Sequence, residues 1–491
     1  MAKSKQSIKM ELVKQIKNNF PHYSSKKKKE KKEIIKQVID SYKKTGQDIS
    51  ALNQSKAEQL GLIDYSYNPI NINDMRKLII QYNRRRFYKN KAKKHIIDAE
   101  LLSIEDLVDW ELINKLLIGG NYTPGRRSIF PYQFFKAELL KNLKYPEISY
   151  RKYDKEEINN PERKQNRAFI GLKSSDKITH DQLSKFRSEL AYTNLLNVLI
   201  YFVTLFVDNK DFGEKSFNVI DSTEIAEKIS SYPLHKEKIN GETIRFYNKM
   251  DADLGVRRKK RDKSTFFVGY RMHTLTIVDP ETQEAYPLLS ILSPANHHDS
   301  QFLKPILELA KAIGLEIKLI VGDQAYGSEG EYEEIESKYD VLLLNTPKEV
   351  VSAPEFVNKK NGEVYKDALC SFPMTYIGRT ENNSHEFHCN ACSNTCPFDN
   401  SCSKVRFIKV DSGLFGPIPF NHNKYAKDAL KMRKVAERPF NLIKHRDGLE
   451  PLRTHGIVNS TFVALSSNIS TLLIELAGYR KKKKKNATNV A

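Results

Sequence analysis

Residues 265–278 read TFFVGYRMHTLTIV, followed by Asp279-Pro280-Glu281-Thr282 and then by AYPLLSIL from Ala285 to Leu292. The first run is rich in β-branched and aromatic residues, the next four favour a turn, and the second apolar run returns, so the segment predicts a β-hairpin. Upstream, SFNVIDS (residues 216–222) is a short apolar run that ends in an acid at Asp221. Downstream, a helix is expected from Asp299, as its N-cap, to Ile313, with Gly314 ending it. EIKLIV (316–321) predicts a strand closing on Gly322-Asp323, Glu329–Tyr339 a second helix, and DVLLLNTP (340–347) a further strand. Strand, hairpin, helix, strand, helix, strand describes a mixed α/β sheet in which two strands end at an aspartate. The carboxyl ends of parallel strands are where such sheets carry their chemistry.

The chain has 491 residues, 40% hydrophobic and 29% charged, enough for several domains with real cores. That excludes a disordered tail or a mini-protein. Of the net +21, residues 1–100 supply +14 (24 Lys/Arg against 10 Asp/Glu) and Arg480–Lys485 supply six more, leaving +1 between them. Basic ends suit a polyanion, because phosphates neutralised by Lys or Arg release counterions; the plainer reading is a solvated lysine-rich tail. The longest apolar run, Leu195–Val207, falls short of a membrane span, so no membrane partner is expected. The start, MAKSKQSIKM, lacks the apolar segment of a secretory signal, and a cytoplasmic, DNA-associated location is expected.

Six segments follow from these textures. Residues 1–99 form a basic helical region read as charged surface, not a core. Residues 100–210 form a helical region, a candidate for docking on DNA although helical periodicity alone does not say so, in which Thr179 and Gln182 predict a capping box. Residues 211–348 hold the first part of the sheet, 349–425 a cysteine-rich insertion, 426–478 a further helical region, and 479–491 a basic tail. The roughly 90 residues from Pro347 to Glu437 exceed what connects neighbouring elements of such a sheet, hence the insertion. It contains HCNACSNTCPFDNSC, in which Cys389-x2-Cys392 has the spacing of a metal knuckle that Cys396 and Cys402 can close around Zn²⁺. Cys370, His385 and His388 are alternates. The metal would be structural, since the polar insertion is short of apolar residues to fold unaided.

Aspartates at neighbouring strand ends can share a divalent cation, because hard carboxylate oxygens suit Mg²⁺. The alternative is that each merely caps the helix that follows. In KMRKVAERPFNLIKHRDG (431–448), Arg433, Glu437 and Lys444 fall on one face of an ideal helix, with Met432, Ala436, Phe440 and Ile443 as a buried stripe beside them. A carboxylate flanked by two cations fits a metal site whose substrate is itself anionic. A solvent-exposed salt-bridged face would look the same. His297, His298 and Asp299 are read as loop residues before a helix rather than as metal ligands.

Arg433-x3-Glu437-x6-Lys444 resembles the R, E and K of the Y-x2-R-x3-E-x6-K signature of DDE transposases of bacterial insertion sequences. VIDST and VGDQAYGS resemble the segments carrying that family's first two catalytic aspartates, and GYRMH resembles its Gly-x-Lys-x-His strand. LSPANHHDS and THGIVNSTFVALSSNISTLL resemble its later segments. The resemblance implies an α/β, RNase H-like mixed sheet with a cysteine-containing insertion, preceded by a helical DNA-binding region. It implies catalysis by Asp221, Asp323 and Glu437 through two Mg²⁺ (or Mn²⁺) ions. Arg433, Lys444, Arg271 and His273 would contact double-stranded DNA, at element ends and at target, and a homodimer would hold two ends together. The implied activity is cut-and-paste transposition: binding terminal inverted repeats, cleaving and joining strands. A nuclease that does not join strands, and a zinc-containing DNA-binding protein with structural acids, are the alternatives. Two positions depart from the pattern: Leu430 stands where the signature has tyrosine, with Tyr425 a possible substitute, and Pro439 falls inside the expected catalytic helix.

Overall fold

A computed structural model describes residues 9, 12–13, 15–16, 19–20, 23, 26–45, 94–118, 129–190, 192–239, 242–258, 264–323, 325–326, 331–345, 355–358, 362–366, 370, 372–389, 404–410, 416–419, 424–446, 449, 454 and 456–478. Its main sheet contains β1 (Phe217–Ala226), β4 (Asp253–Arg258), β5 (Ser264–Asp279), β6 (Glu284–Pro294), β7 (Leu319–Gly322) and β8 (Leu342–Asn345). A separate hairpin, β2 (His235–Ile239) and β3 (Glu242–Phe246), is inserted between β1 and β4. β5 pairs antiparallel with β1, β4 and β6, while β1, β7 and β8 run parallel. The path β6-β5-β1-β7-β8 makes a mixed α/β sheet compatible with the expected RNase H-like domain.

The expected hairpin is present, and Asp279 Oδ1 closes its turn by accepting from the Glu281 and Thr282 amides at 2.9 and 3.4 Å. The first strand differs from expectation. β1 does not end at Asp221 but runs on to Ala226, because the 16-residue β5 pairs with it from Phe217 to Ala226. Its pairing with β7 stops at Val219. Asp221 is thus held on one edge by β5, just past the point where the parallel partner ends.

Residues alternate across the sheet. Ile220, Leu275, Ile320 and Leu343 join one large core with the helices of the 99–209 region, namely α2 (Ala99–Leu107), α3 (Trp110–Ile118), α4 (Pro131–Lys144), α5 (Lys164–Ile170), α6 (His180–Glu189) and α7 (Tyr192–Asn209). The predicted capping box opens α6: Thr179 Oγ1 accepts from the Gln182 amide and Gln182 Oε1 from the Thr179 amide. The same core takes in α8 (Leu303–Ala312), α9 (Glu331–Tyr339) and α11 (Ile457–Leu476). By length and apolarity α11 could cross a membrane, a longer apolar stretch than the one expected at 195–207, yet 89% of that window is buried inside the protein. On the opposite face, Phe217, Val219, Val278, Leu319, Val321 and Leu344 pack against α10 (Lys424–Met432) and the residues after it.

Two regions are better packed than their composition suggests. The N-terminal helix α1 (Lys28–Thr45) buries Ile34, Ile35, Val38, Ile39 and Tyr42 with Leu12, Val13 and Ile16 against Ile239, Ile244 and Phe246 of the β2–β3 hairpin. A core therefore exists where only charged surface was expected: the apolar positions recur at helical spacing between the lysines. The insertion contains a three-stranded sheet of β9 (Thr375–Arg379), β10 (Ser384–His388) and β11 (Val405–Lys409). Val357, Val364, Met374, Phe387 and Ile408 give it a small core, contrary to the expectation that it lacked one.

Candidate active site

β7 ends at Gly322, where an added Cβ would lie 3.2 Å from the Tyr326 Cβ and 3.4 Å from Ile220 Cγ2. The tight approach lets the chain turn directly into Asp323, whose Oδ1 accepts from the Ala325 amide at 2.8 Å. By strand alternation Asp221 shares its face with Val219, the face covered by α10 and the segment that follows it.

That following segment carries the third acid, but not on a regular helix. α10 gives way to a 3₁₀ stretch (Arg433–Ala436), a short α-helical piece (Glu437–Asn441) and a π turn (Leu442–Arg446). The spacing argument from 100° per residue therefore does not hold across it. Pro439 lies at the centre of these breaks and cannot donate a backbone hydrogen bond to the preceding turn. The apolar stripe still docks as expected: Ala436, Phe440 and Ile443 are buried and Met432 is partly so. Leu430, in place of the signature tyrosine, packs toward the sheet, while Tyr425 is 43% exposed.

Arg433 Nη1 reaches Asp221 Oδ2 at 3.3 Å. Burial nevertheless pushes the Asp221 carboxyl up to about 6; Arg433 and the Ser222 amide oppose that shift, and the negative charges of Asp323 and Glu437 add to it. The three expected acids are thus close enough to feel one another. Lys444 sits half-buried in the π turn.

A fourth acid joins them. Asp299 was expected to cap a helix, but His298 does so, its Nδ1 accepting from the Ser300 amide at 3.3 Å. Asp299 instead pairs with Arg271 Nη1 at 3.1 Å. Burial raises its carboxyl, with Arg271 opposing and Asp323 adding to the shift. The buried Tyr326 hydroxyl is likewise held well above its usual range, first by burial and then by Asp299, Asp221 and Asp323. Tyr326 was not singled out from sequence, and Asp299 was read only as a loop residue capping a helix. An aspartate ahead of a helix reads as a cap, and only knowledge that Arg271 faces it would suggest another partner.

Arg271, Asp299 and Asp323 line a cleft of about 760 Å³ with Leu254, Val256 and Asn296. His273 does not reach it. Its ring is fully buried, 3.9 Å from the Phe302 ring and 3.1 Å from Ser293 Oγ, and burial holds it well below its ordinary range. In this structure His273, expected to contact DNA, exposes no surface, and its Nδ1 lies 3.7 Å from Asp299 Oδ1.

Among the described residues, no three His, Cys, Asp or Glu side chains converge as a ready-made metal site. The donor chemistry nonetheless fits Mg²⁺, which takes one or two carboxylates and completes its shell with water and phosphate. A buried aspartate burdened by two like charges is one that a cation would relieve. In the insertion, Cys389 follows β10 and its amide donates to the Lys404 carbonyl at 2.8 Å, while Cys392, Cys396 and Cys402 lie outside the described residues. His385 is committed elsewhere, its Nε2 lying 2.7 Å from the Gly416 carbonyl.

Residues 213–388 match the family model described as "Transposase DDE domain". The matched stretch contains Asp221, Arg271, Asp299 and Asp323 and stops short of Arg433, Glu437 and Lys444. No curated protein matches the chain.

Proposed function

We propose that this chain, which carries a transposase DDE domain of the insertion-sequence type over residues 213–388, binds the terminal inverted repeats of a mobile element, cuts there and joins the ends to target DNA. The observation that carries this reading is the electrostatic meeting of Asp221, Asp323 and Glu437, brought from β1, the end of β7 and the segment after α10. These three carboxylates would hold divalent metal. When bound, two such ions supply activation of a water or a DNA 3′-OH and stabilisation of the leaving oxygen.

The remaining work belongs to the chain's own residues. Arg433, paired with Asp221 in this state, would exchange part of that pairing for a backbone phosphate, and Lys444 would add a second cation to the same strand. Arg271, its guanidinium held by Asp299 at the cleft wall, would contact phosphate from the other side. Such contacts position a strand without reading its sequence. The helices of the 99–209 region would read the ends, and two chains would pair to bring two ends together. Zinc at Cys389, Cys392, Cys396 and Cys402 would brace the loop between β10 and β11, supported by the Cys-x2-Cys spacing and the Cys389–Lys404 closure. Metal analysis of the purified chain, with and without those cysteines, tests that part.

The deciding experiment is a strand-transfer assay with Mg²⁺ or Mn²⁺ on DNA carrying the inverted repeats that flank the coding sequence. Joined products are expected. Cleavage without joining would leave a nuclease, and neither reaction, on a chain that binds the DNA, would leave a regulatory DNA-binding protein.

A further inference from the structure

The β2–β3 hairpin presents two unlike faces. Its register, which includes His235↔Phe246, Lys236↔Arg245 and Lys238↔Thr243, puts alternate residues on opposite sides. The inner side belongs to α1: Ile239, Ile244 and Phe246 join its core, and Glu237 meets Lys43 Nζ at 2.6 Å. The outer side carries Lys236, Lys238, Thr243 and Arg245, three cations, a hydroxyl and no acid. Lys236 and Lys238 are exposed and Arg245 is half-buried. Lys236 and Arg245 stand directly opposite each other, where like charges repel across the strand pair. Among the described residues none of the three forms an ion pair, whereas Lys9, Lys26 and Lys43 of the N-terminal segment all do. The hairpin and its helix are also fixed to the catalytic sheet. Lys9, three residues before Leu12 of the same core, reaches Asp253 Oδ2 at 2.6 Å at the start of β4, each side chain only 10% exposed. Burial pushes the His297 ring down to about 4, Asp253 opposing and Lys9 adding to the shift, so this anchor lies within electrostatic reach of the cleft that His297 lines.

Unpaired cations at fixed intervals suit a repeating anion. Lys236 and Lys238 are two residues apart, about 6.7 Å along the strand, and the charges on one strand of duplex DNA rise about 3.4 Å each along the axis, so two such steps match the two lysines. A single small anion would meet one or two of the three cations; a chain of phosphates meets them all. A second copy of this chain is the competing occupant and a poor match, its own net charge being +21. We propose that the outer face of the β2–β3 hairpin is a phosphate-binding surface for duplex DNA, on which Lys236, Lys238 and Arg245 hold backbone phosphates of the flank beside the segment that enters the cleft. Contacts of this kind add affinity and orientation without reading sequence. The inference rests on the proposed function for DNA as the polyanion; the surface itself follows from register, exposure and unpaired charge.

The test uses the full chain with Thr243 replaced by the photo-crosslinking p-benzoyl-phenylalanine, incubated with a mixed-sequence linear duplex and irradiated. A protein–DNA adduct is expected. Adducts only between copies of the chain, or none while a gel shift shows the duplex bound, would overturn the proposal. In parallel, the triple variant Lys236→Gln, Lys238→Gln, Arg245→Gln should flatten the slope of log affinity against log salt by about 2 to 3, roughly 0.9 for each phosphate no longer neutralised. An unchanged slope overturns the proposal as well. Thermal unfolding should show the triple variant no less stable, since the opposed charges are gone. If it fails to fold, Lys238→Gln alone, opposite Thr243, should still lower the slope by about 0.9, and no change there has the same force. Failure of the proposed transposition looks different: the chain would crosslink through position 243 yet cut no DNA with Mg²⁺ or Mn²⁺, and the hairpin contact would stand.

Discussion

Two helical segments lie close together near the C-terminus and obey opposite rules. α11 is a single 20-residue α-helix, buried along nearly its whole length, with some of its polar side chains bonded internally and the hydroxyls of Ser460, Thr461, Ser466 and Ser467 buried without a hydrogen-bond partner. Asn468 Nδ2 donates to Ser290 Oγ at 2.7 Å, and Ser470 and Thr471 hydroxyls return to carbonyls four residues back. The segment Lys424–Arg446 changes from α to 3₁₀ to α to π within 23 residues, and it carries Arg433, Glu437 and Lys444. The regular helix supplies packing; the irregular one supplies charge. Side chains that must meet Asp221 from one short segment are aimed by local departures from α geometry, whereas a core helix gains nothing by departing from it.

The sharpest way to test this division is to remove one charge from the irregular segment. Glu437→Ala should lower DNA cleavage on the order of 10³-fold or more, as expected when one member of a catalytic group acting as a unit is lost. Asp323→Ala should behave alike, and duplex binding in a gel-shift assay should hardly change for either. Cleavage at the normal rate by either variant would remove these acids from the mechanism. In α11 the converse is expected. Phe462→Ala empties a buried site where the ring meets Phe186 edge-on at 5.8 Å, and should cost about 3 to 5 kcal/mol in denaturant unfolding. Its cleavage rate per folded molecule should stay close to normal. A selective loss of cleavage there would show that α11 does more than pack.

The same contrast explains what could be read from sequence. β5, β6 and their turn were plain because β-branched and aromatic residues repeat on both sides of a turn signal, and nothing distant competes. That Asp221 sits in mid-strand was not plain, since the length of β1 is decided by β5, its partner some fifty residues on. Asp299 was hidden by its position before a helix, where capping is the ordinary use of an aspartate, and the Arg271 that claims it is adjacent only in the folded chain. His273 was expected at DNA because GYRMH resembles a Gly-x-Lys-x-His strand, but on the sheet it lies beside Ser293 and Phe302. Residues whose role is set by local pattern were legible; those whose role is set by a partner across the sheet were not.

Pro439 allows the contrast to be reversed at one position. Pro439→Ala restores an amide that a regular helix would use and removes the clash of the ring with the preceding turn. Stability should hold or rise, because an interior proline costs a helix about 3 kcal/mol. Cleavage should fall, roughly tenfold, about 1.4 kcal/mol, as Glu437 and Arg433 turn away from Asp221. Thermal unfolding and cleavage measured on one preparation decide it. A variant that gains stability and keeps full activity would mean that the breaks in the segment are tolerated, not used.

The smallest effect on chemistry is expected from the basic tail. Removal of residues 480–491 takes away the six cations Arg480–Lys485, beyond the end of α11 at Leu476. If each met one phosphate, the salt slope of duplex binding would fall by up to about 5; a solvated tail meeting few of them would shift it less. Because the acids are positioned by β1, the end of β7 and the irregular segment, cleavage at saturating DNA should be unchanged. A truncated chain that binds DNA fully at high concentration yet fails to cut it would place the tail inside the catalytic arrangement, and packing and charge could then no longer be assigned to the two C-terminal segments separately.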